Sequence, residues 1–179
     1  MIPIPGFIIS ILTFPGVIVH EFAHLLFCRI FRVAVFDVCF FRVANPPGYV
    51  IHETPKSLWH HVLIGIGPFF TNTIIGSVIA IPAVYAFSAP GTPNPIYLVL
   101  MYFGVSIAMH SFPSTGDADS IRKAVWDKEN GGSAGMKILL APIIGLIYAG
   151  AIGSVIWLDL LYGYGVVRLS AHLLVKIFA

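Results

Sequence analysis

Residues 17–27 read Val-Ile-Val-His-Glu-Phe-Ala-His-Leu-Leu-Phe. Within them, His20-Glu21-Phe22-Ala23-His24 is an H-E-x-x-H pattern. On a helix, positions i and i+4 share a face, so both imidazoles reach one ion. Glu21 points about 100° round the helix from His20, where it can stand beside the ion as a general base. Zinc hydrolases use this arrangement, the metal lowering the pKa of a bound water to about 7. In a chain of this length with 7 His, composition alone yields about 0.004 such patterns. The flanks are as informative as the count. No charged side chain precedes His20, and Ile, Val, Phe and Leu stand on both sides. Ionisable groups in a hydrocarbon setting are costly and usually mark function. The bland alternative is a helix whose polar groups only hydrogen-bond its neighbours.

The chain has 179 residues, 58% hydrophobic and 10% charged, with a mean hydropathy of +0.91. A soluble domain carries about 25% charged residues, so composition predicts an α-helical integral membrane protein in one membrane-embedded domain. The net charge of +2 is scattered, which excludes nucleic acid as a partner. Cys28 and Cys39 have neither zinc-site nor disulfide-framework spacing. The N-terminus lacks a basic n-region, so no cleavable signal is expected.

Residues 1–14 are apolar but broken by Pro3, Pro5 and Gly6. A first helix is predicted at about 15–31, with Pro15 in its first turn. Residues 33–55 turn β-branched and aromatic, and Asn45-Pro-Pro-Gly48 is a turn cluster, which predicts a membrane-associated β-hairpin or small sheet. A second helix is expected at about 56–87, bent or restarted at Pro68, with Gly65, Gly67 and Gly76 allowing close helix contact. A third covers about 96–111 and a fourth about 136–161, giving about four transmembrane helices. The loop at 112–135 holds most of the charge, with a short amphipathic helix at about 117–128. Arg168, His172 and Lys176 recur at i, i+4 and i+8, which predicts a C-terminal interfacial helix at about 164–178.

Lys and Arg crowd the 29–57 and 112–137 connections and are absent from 88–95. The positive-inside rule then places the first two in the cytosol and the N-terminus outside, with the active site toward the cytosolic side of a multi-pass protein.

Two histidines do not complete a catalytic zinc site, which needs about three protein ligands. Asp117 is the leading third ligand, following Gly116 in irregular backbone on the same side as His20 and His24. Asp119 comes next, and either carboxylate could instead cap a helix. His110 is read as a ligand, a partner to the carboxylate or a buried structural histidine, the last two being favoured. His60 and His61 read as interfacial, His52 and Glu53 as water-facing, and His172 as part of the basic stripe. Asn72, deep in the second helix, could donate to an oxyanion or substrate backbone, or make an interhelical contact.

These features together resemble the site-2 protease family of intramembrane zinc metalloproteases. The resemblance rests on His20-Glu21-Phe22-Ala23-His24, on Gly48-Tyr49-Val50 (like the family's glycine-tyrosine-valine element), and on Gly67-Pro68-Phe69-Phe70-Thr71-Asn72 (like its G-P-x-x-N helix). It covers roughly residues 15–120. Where the family has Asn-x-x-Pro followed by Leu-Asp-Gly, this chain reads His110-Ser-Phe-Pro-Ser-Thr-Gly-Asp117, keeping the proline and an aspartate. A divergent, minimal member is implied. The resemblance implies Zn²⁺ held by His20, His24 and Asp117, with Glu21 as catalytic base and Asn72 near the active site. It also implies hydrolysis of peptide bonds in or near transmembrane segments of a membrane-protein substrate, within the lipid bilayer. The rival expectation is a metal-binding scaffold without catalysis, or a small transporter subunit. Iron, cobalt and manganese are alternative ions, and the oligomeric state is left open.

Overall fold

The computed structural model of the chain describes residues 6–127 and 131–178. Residues 1–5 of the entry segment, and Lys128 and Glu129 of the charge cluster, lie outside them. The described chain is mostly helical, with one small antiparallel sheet.

Helix α1 (Gly6–Leu12) and α2 (Phe14–Ile30) are separated at Thr13. There the backbone leaves the helical region (φ −119°, ψ 34°), and the Thr13 hydroxyl donates back to the Ile9 carbonyl at 2.6 Å. Pro15 falls in the first turn of α2, where its missing N–H would have had no partner. The Pro-Gly pair therefore follows a restart of the helix. At the other end of α2, Arg32 takes a left-handed φ of 56°. The Val33 N–H reaches the Cys28 carbonyl and the Arg32 N–H that of Arg29, a Schellman ending that turns the chain sharply.

That turn delivers β1 (Val35–Cys39), which pairs antiparallel with β2 (Tyr49–His52) from Val35↔His52 to Cys39↔Tyr49, with a bulge between Val35 and Asp37. Both strands pack on α2, so the β region predicted at 33–55 lies beside the H-E-x-x-H helix.

Helix α3 (Leu58–Ser88) runs unbroken for 31 residues, with Pro68 and Pro82 inside it. The restart expected at Pro68 is not seen. Helix α4 (Ile96–Met109) packs closely along α3. A Cβ on Gly76 would stand 2.7 Å from the Ala108 nitrogen, and one on Gly104 would overlap Ala80. Small residues spaced four apart on both helices, Gly76/Ala80 and Gly104/Ala108, thus bring the two backbones together.

Helix α5 (Thr115–Trp126) is amphipathic. It buries Ala118, Ile121 and Val125 against Val62 of α3 and against Leu140, Ile144 and Ile147 of α6 (Ala134–Gly153). Burial of Ile121 and Val125 contributes about 1.5–3 kcal/mol each where water is the alternative, enough to hold α5 in place. A 3₁₀ turn (Ser154–Ile156) and a left-handed Trp157 (φ 64°) end α6, and α7 (Leu158–Phe178) begins at once. The continuous helix predicted to about 161 therefore breaks earlier. The helix expected from 164 starts at 158 and is not set apart from the bundle. Val167 and Ala171 pack with Ala80, Val84 and Ala108, while Arg168 and His172 stay exposed.

Among the described residues two helical stretches, Leu58–Ser88 and Ala134–Ile156, are long and apolar enough to cross a membrane, where about four are expected from the sequence.

Candidate metal centre

His20 and His24 lie one turn apart on α2, both buried. The Nε2 atoms stand 3.2 Å from each other. Asp117, in the first turn of α5, brings Oδ1 to 3.5 Å from His24 Nε2 and Oδ2 to 3.9 Å from His20 Nε2. Among the described residues these three form a cluster that could hold a metal ion, one ligand atom from each lying within 4.8 Å of the others.

Each ring is tied back on its far side. His20 Nδ1 donates to the His110 carbonyl at 2.8 Å, and His24 Nδ1 to the Ile64 carbonyl at 2.9 Å. A carbonyl can only accept, so each Nδ1 carries its proton and each Nε2 turns a lone pair, or a second proton, toward Asp117. With both Nε2 atoms unprotonated, the imidazole lone pairs and the carboxylate would repel one another, and either a proton on an imidazole or a metal cation among them relieves this. Ligand atoms about 2.0–2.1 Å from a tetrahedral ion are separated by about 3.3 Å, close to the 3.2 Å between the two Nε2 atoms and the 3.5 Å from His24 Nε2 to Asp117 Oδ1.

Asp117 is held by its own local structure. Ser114 caps α5: its hydroxyl accepts from the Asp117 N–H at 3.1 Å, while its N–H and hydroxyl both donate to Asp117 Oδ2 at 2.7 Å. This capping box follows from Ser114-Thr-Gly-Asp117. Cap and ligand are alternatives in the sequence; here one side chain makes the capping box and also faces both histidines. Oδ2 is occupied by the cap, and Oδ1 faces His24. Burial would raise the Asp117 carboxyl, but His24 and His20 outweigh it and hold the group well below the usual carboxylate range.

Glu21 lines a cavity of about 900 Å³ together with His20, His24 and Asp117. Gly48, just before β2, lies against it: a Cβ there would stand 2.6 Å from Glu21 Cγ. No Lys or Arg is among the described residues that line this cavity, which Trp157 and Asp159 also line.

The other predicted residues are placed differently. Asn72 is fully buried and does not line the cavity. Its amide nitrogen lies 3.1–3.2 Å from the carbonyls of Gly16, Ile107 and His110. It ties α2, α3 and α4 together and shares the His110 carbonyl with His20, an interhelical contact. The His110 ring does not touch Asp117: its Nδ1 donates to the Ser106 carbonyl at 3.0 Å. The backbone carbonyl of His110, not its ring, serves the cluster, a role no side-chain motif encodes. Asp119 is held by Tyr148 and Arg122; those hydrogen bonds lower its pKa, and it takes no part in the cluster. His60 stacks on Phe31 at 4.4 Å. His61, read as interfacial, is buried, bonds Ser120 at 2.8 Å and lines the cavity. His52 also lines it, while Glu53 is exposed.

Sequence reasoning passed over Trp157 and Asp159, which reach the cavity only through the break after α6. It also passed over the carbonyl of Ile64, although Pro68 four residues later is the signal for it. Compared with models of known families, with curated proteins and with solved structures, the chain matches none of them.

Proposed function

We propose that this protein is an intramembrane zinc endopeptidase of the site-2 protease kind. The observation that carries the reading is the convergence of His20, His24 and Asp117, with both rings anchored through Nδ1 and Glu21 in the same cavity. Two imidazoles and a carboxylate suit zinc at a catalytic centre, which keeps one position for water or substrate. A bound zinc supplies Lewis acidity for peptide hydrolysis.

The chain's own residues do the rest. His20 and His24 are oriented by carbonyls, and Asp117 by the Ser114 cap. Glu21 takes a proton from the attacking water and passes it to the amine nitrogen as the C–N bond breaks, leaving a carboxylate and a free amine. A helical substrate must first unwind, because its amides are bonded internally.

The membrane setting is supported by α6. Its apolar window has a mean hydropathy of 2.1 yet is only 28% buried. Ile138, Leu146 and Ile152 are each more than 60% exposed. The core helix of a soluble protein would be mostly covered, and so broad an apolar surface marks contact with lipid or another protein. In this reading the charged helix α5 carries Asp117 in from the cytosolic side.

The test uses purified full-length protein reconstituted in vesicles with a model single-span substrate, with zinc measured by elemental analysis. Wild type should bind one zinc and cleave. Glu21→Gln should retain zinc and lose cleavage by about 10²–10⁴-fold. Equal cleavage by Glu21→Gln would remove Glu21 from the mechanism. Zinc bound without cleavage in wild type would leave a metal-binding scaffold, the rival raised by the sequence.

A further inference from the structure

We infer that Pro68 is a positioning residue for the metal centre: by lacking an N–H, it leaves the Ile64 carbonyl free to anchor His24. In an α-helix the carbonyl of residue 64 accepts from the N–H of residue 68. Residue 68 is proline, inside a helix that continues for twenty residues beyond it. A proline removes this bond and normally breaks or kinks the helix. Here the orphaned acceptor has another donor, His24 Nδ1 at 2.9 Å. Buried carbonyls are rarely left unpaired, so ring and carbonyl satisfy each other. Gly67 lets the same turn come close: a Cβ there would meet the ring of Phe27 of α2 at 2.5 Å. The sequence step Gly67-Pro68 thus sets both the approach of α2 and the acceptor for its second histidine.

The partner ring is served in the same way by another interruption. His110 caps the end of α4, where carbonyls lack helical donors. Its carbonyl accepts from His20 Nδ1. Each histidine is therefore oriented by a carbonyl that a helix has released, one at an end and one in mid-helix. Hydrogen bonds of this kind on the far nitrogen fix the tautomer and ring orientation of a metal-ligating histidine, and their loss typically weakens metal binding about 10–100-fold.

Pro82, also inside α3, provides the control. The carbonyl four residues before it belongs to Val78, which is exposed and bonds no side chain in the described structure.

The experiment compares wild type, Pro68→Ala and Pro82→Ala as full-length protein in detergent micelles. Zinc affinity is read by chelator competition, and the His24 Nδ1 proton by nitrogen-edited NMR with solvent exchange, with and without metal. Alanine is the better helix former, so a loss on Pro68→Ala is not explained by a weaker helix. Pro68→Ala should weaken zinc about 10–100-fold and remove the exchange protection of His24 Nδ1–H, while Pro82→Ala changes neither. The affinity arm rests on the metal reading, but the NMR arm does not. If wild type binds no zinc yet Pro68→Ala still releases the ring, the metal reading fails and the anchoring stands. A His24 proton equally protected in Pro68→Ala would overturn the inference. So would zinc affinity unchanged within twofold despite a released ring.

Discussion

The two halves of the candidate metal centre are built by opposite means. The histidine half is regular: His20 and His24 share a face because α2 is helical through both. The aspartate half is irregular. Asp117 arrives after α4 has ended, the chain has passed Pro113, and a capping box has started α5. Regular spacing places the histidines relative to each other; only a cap and a packed helix place the carboxylate relative to them. Even the regular half depends on irregular backbone elsewhere, since each ring is aimed by a released carbonyl.

This contrast can be broken experimentally. The largest effect is expected at His24. Dividing about 10–16 kcal/mol of apparent zinc binding over three ligands gives roughly 3–5 kcal/mol each, so His24→Ala should weaken zinc about 10²–10⁴-fold by chelator competition. Asp117→Asn keeps the shape and cap geometry of α5 but loses the charge, and should cost about 10²-fold. Asp119→Asn, two residues away, should stay within about twofold. If those two exchange places, the assignment of the third ligand is wrong.

Ser114→Ala sharpens the comparison, because it touches only the irregular half. It removes the acceptor for the Asp117 N–H and a donor to Asp117 Oδ2. A loss of about 1 kcal/mol in stability and about tenfold in zinc affinity is expected, measured by thermal unfolding in detergent and by competition. Asn72→Leu should act mainly on stability, by about 1–3 kcal/mol, since it strips a shared donor from Gly16, Ile107 and His110. If Asn72→Leu instead abolished turnover with stability and zinc unchanged, the residue would belong in the chemistry after all.

Much of the fold was legible because hydropathy and turn chemistry are local. Gly76 reads as a point of close helix contact and lies at the α3–α4 crossing, and Asn45-Pro-Pro-Gly48 separates two strands. The end of α6 was not legible. The run from 138 to 158 is apolar apart from Ser154, and the break falls on Trp157, a residue type that gives no warning of a left-handed φ. Pro68 misled in the other direction. Proline in a helix predicts a bend, but the acceptor it frees is satisfied by His24, from a helix forty residues earlier.

The sequence alone determined the apolar character of the chain, the i, i+4 histidine pair with its glutamate, and a short set of carboxylates able to join them. These follow from composition and from the 3.6-residue period, both of which are local. Tertiary structure decided that Asp117 and not Asp119 faces the histidines, that Asn72 stands behind the site, and that two backbone carbonyls aim the rings. Those choices depend on which helix ends and side chains meet, distances of a few ångströms between residues forty to ninety positions apart; the local pattern at Pro68 frees a carbonyl but does not name its donor.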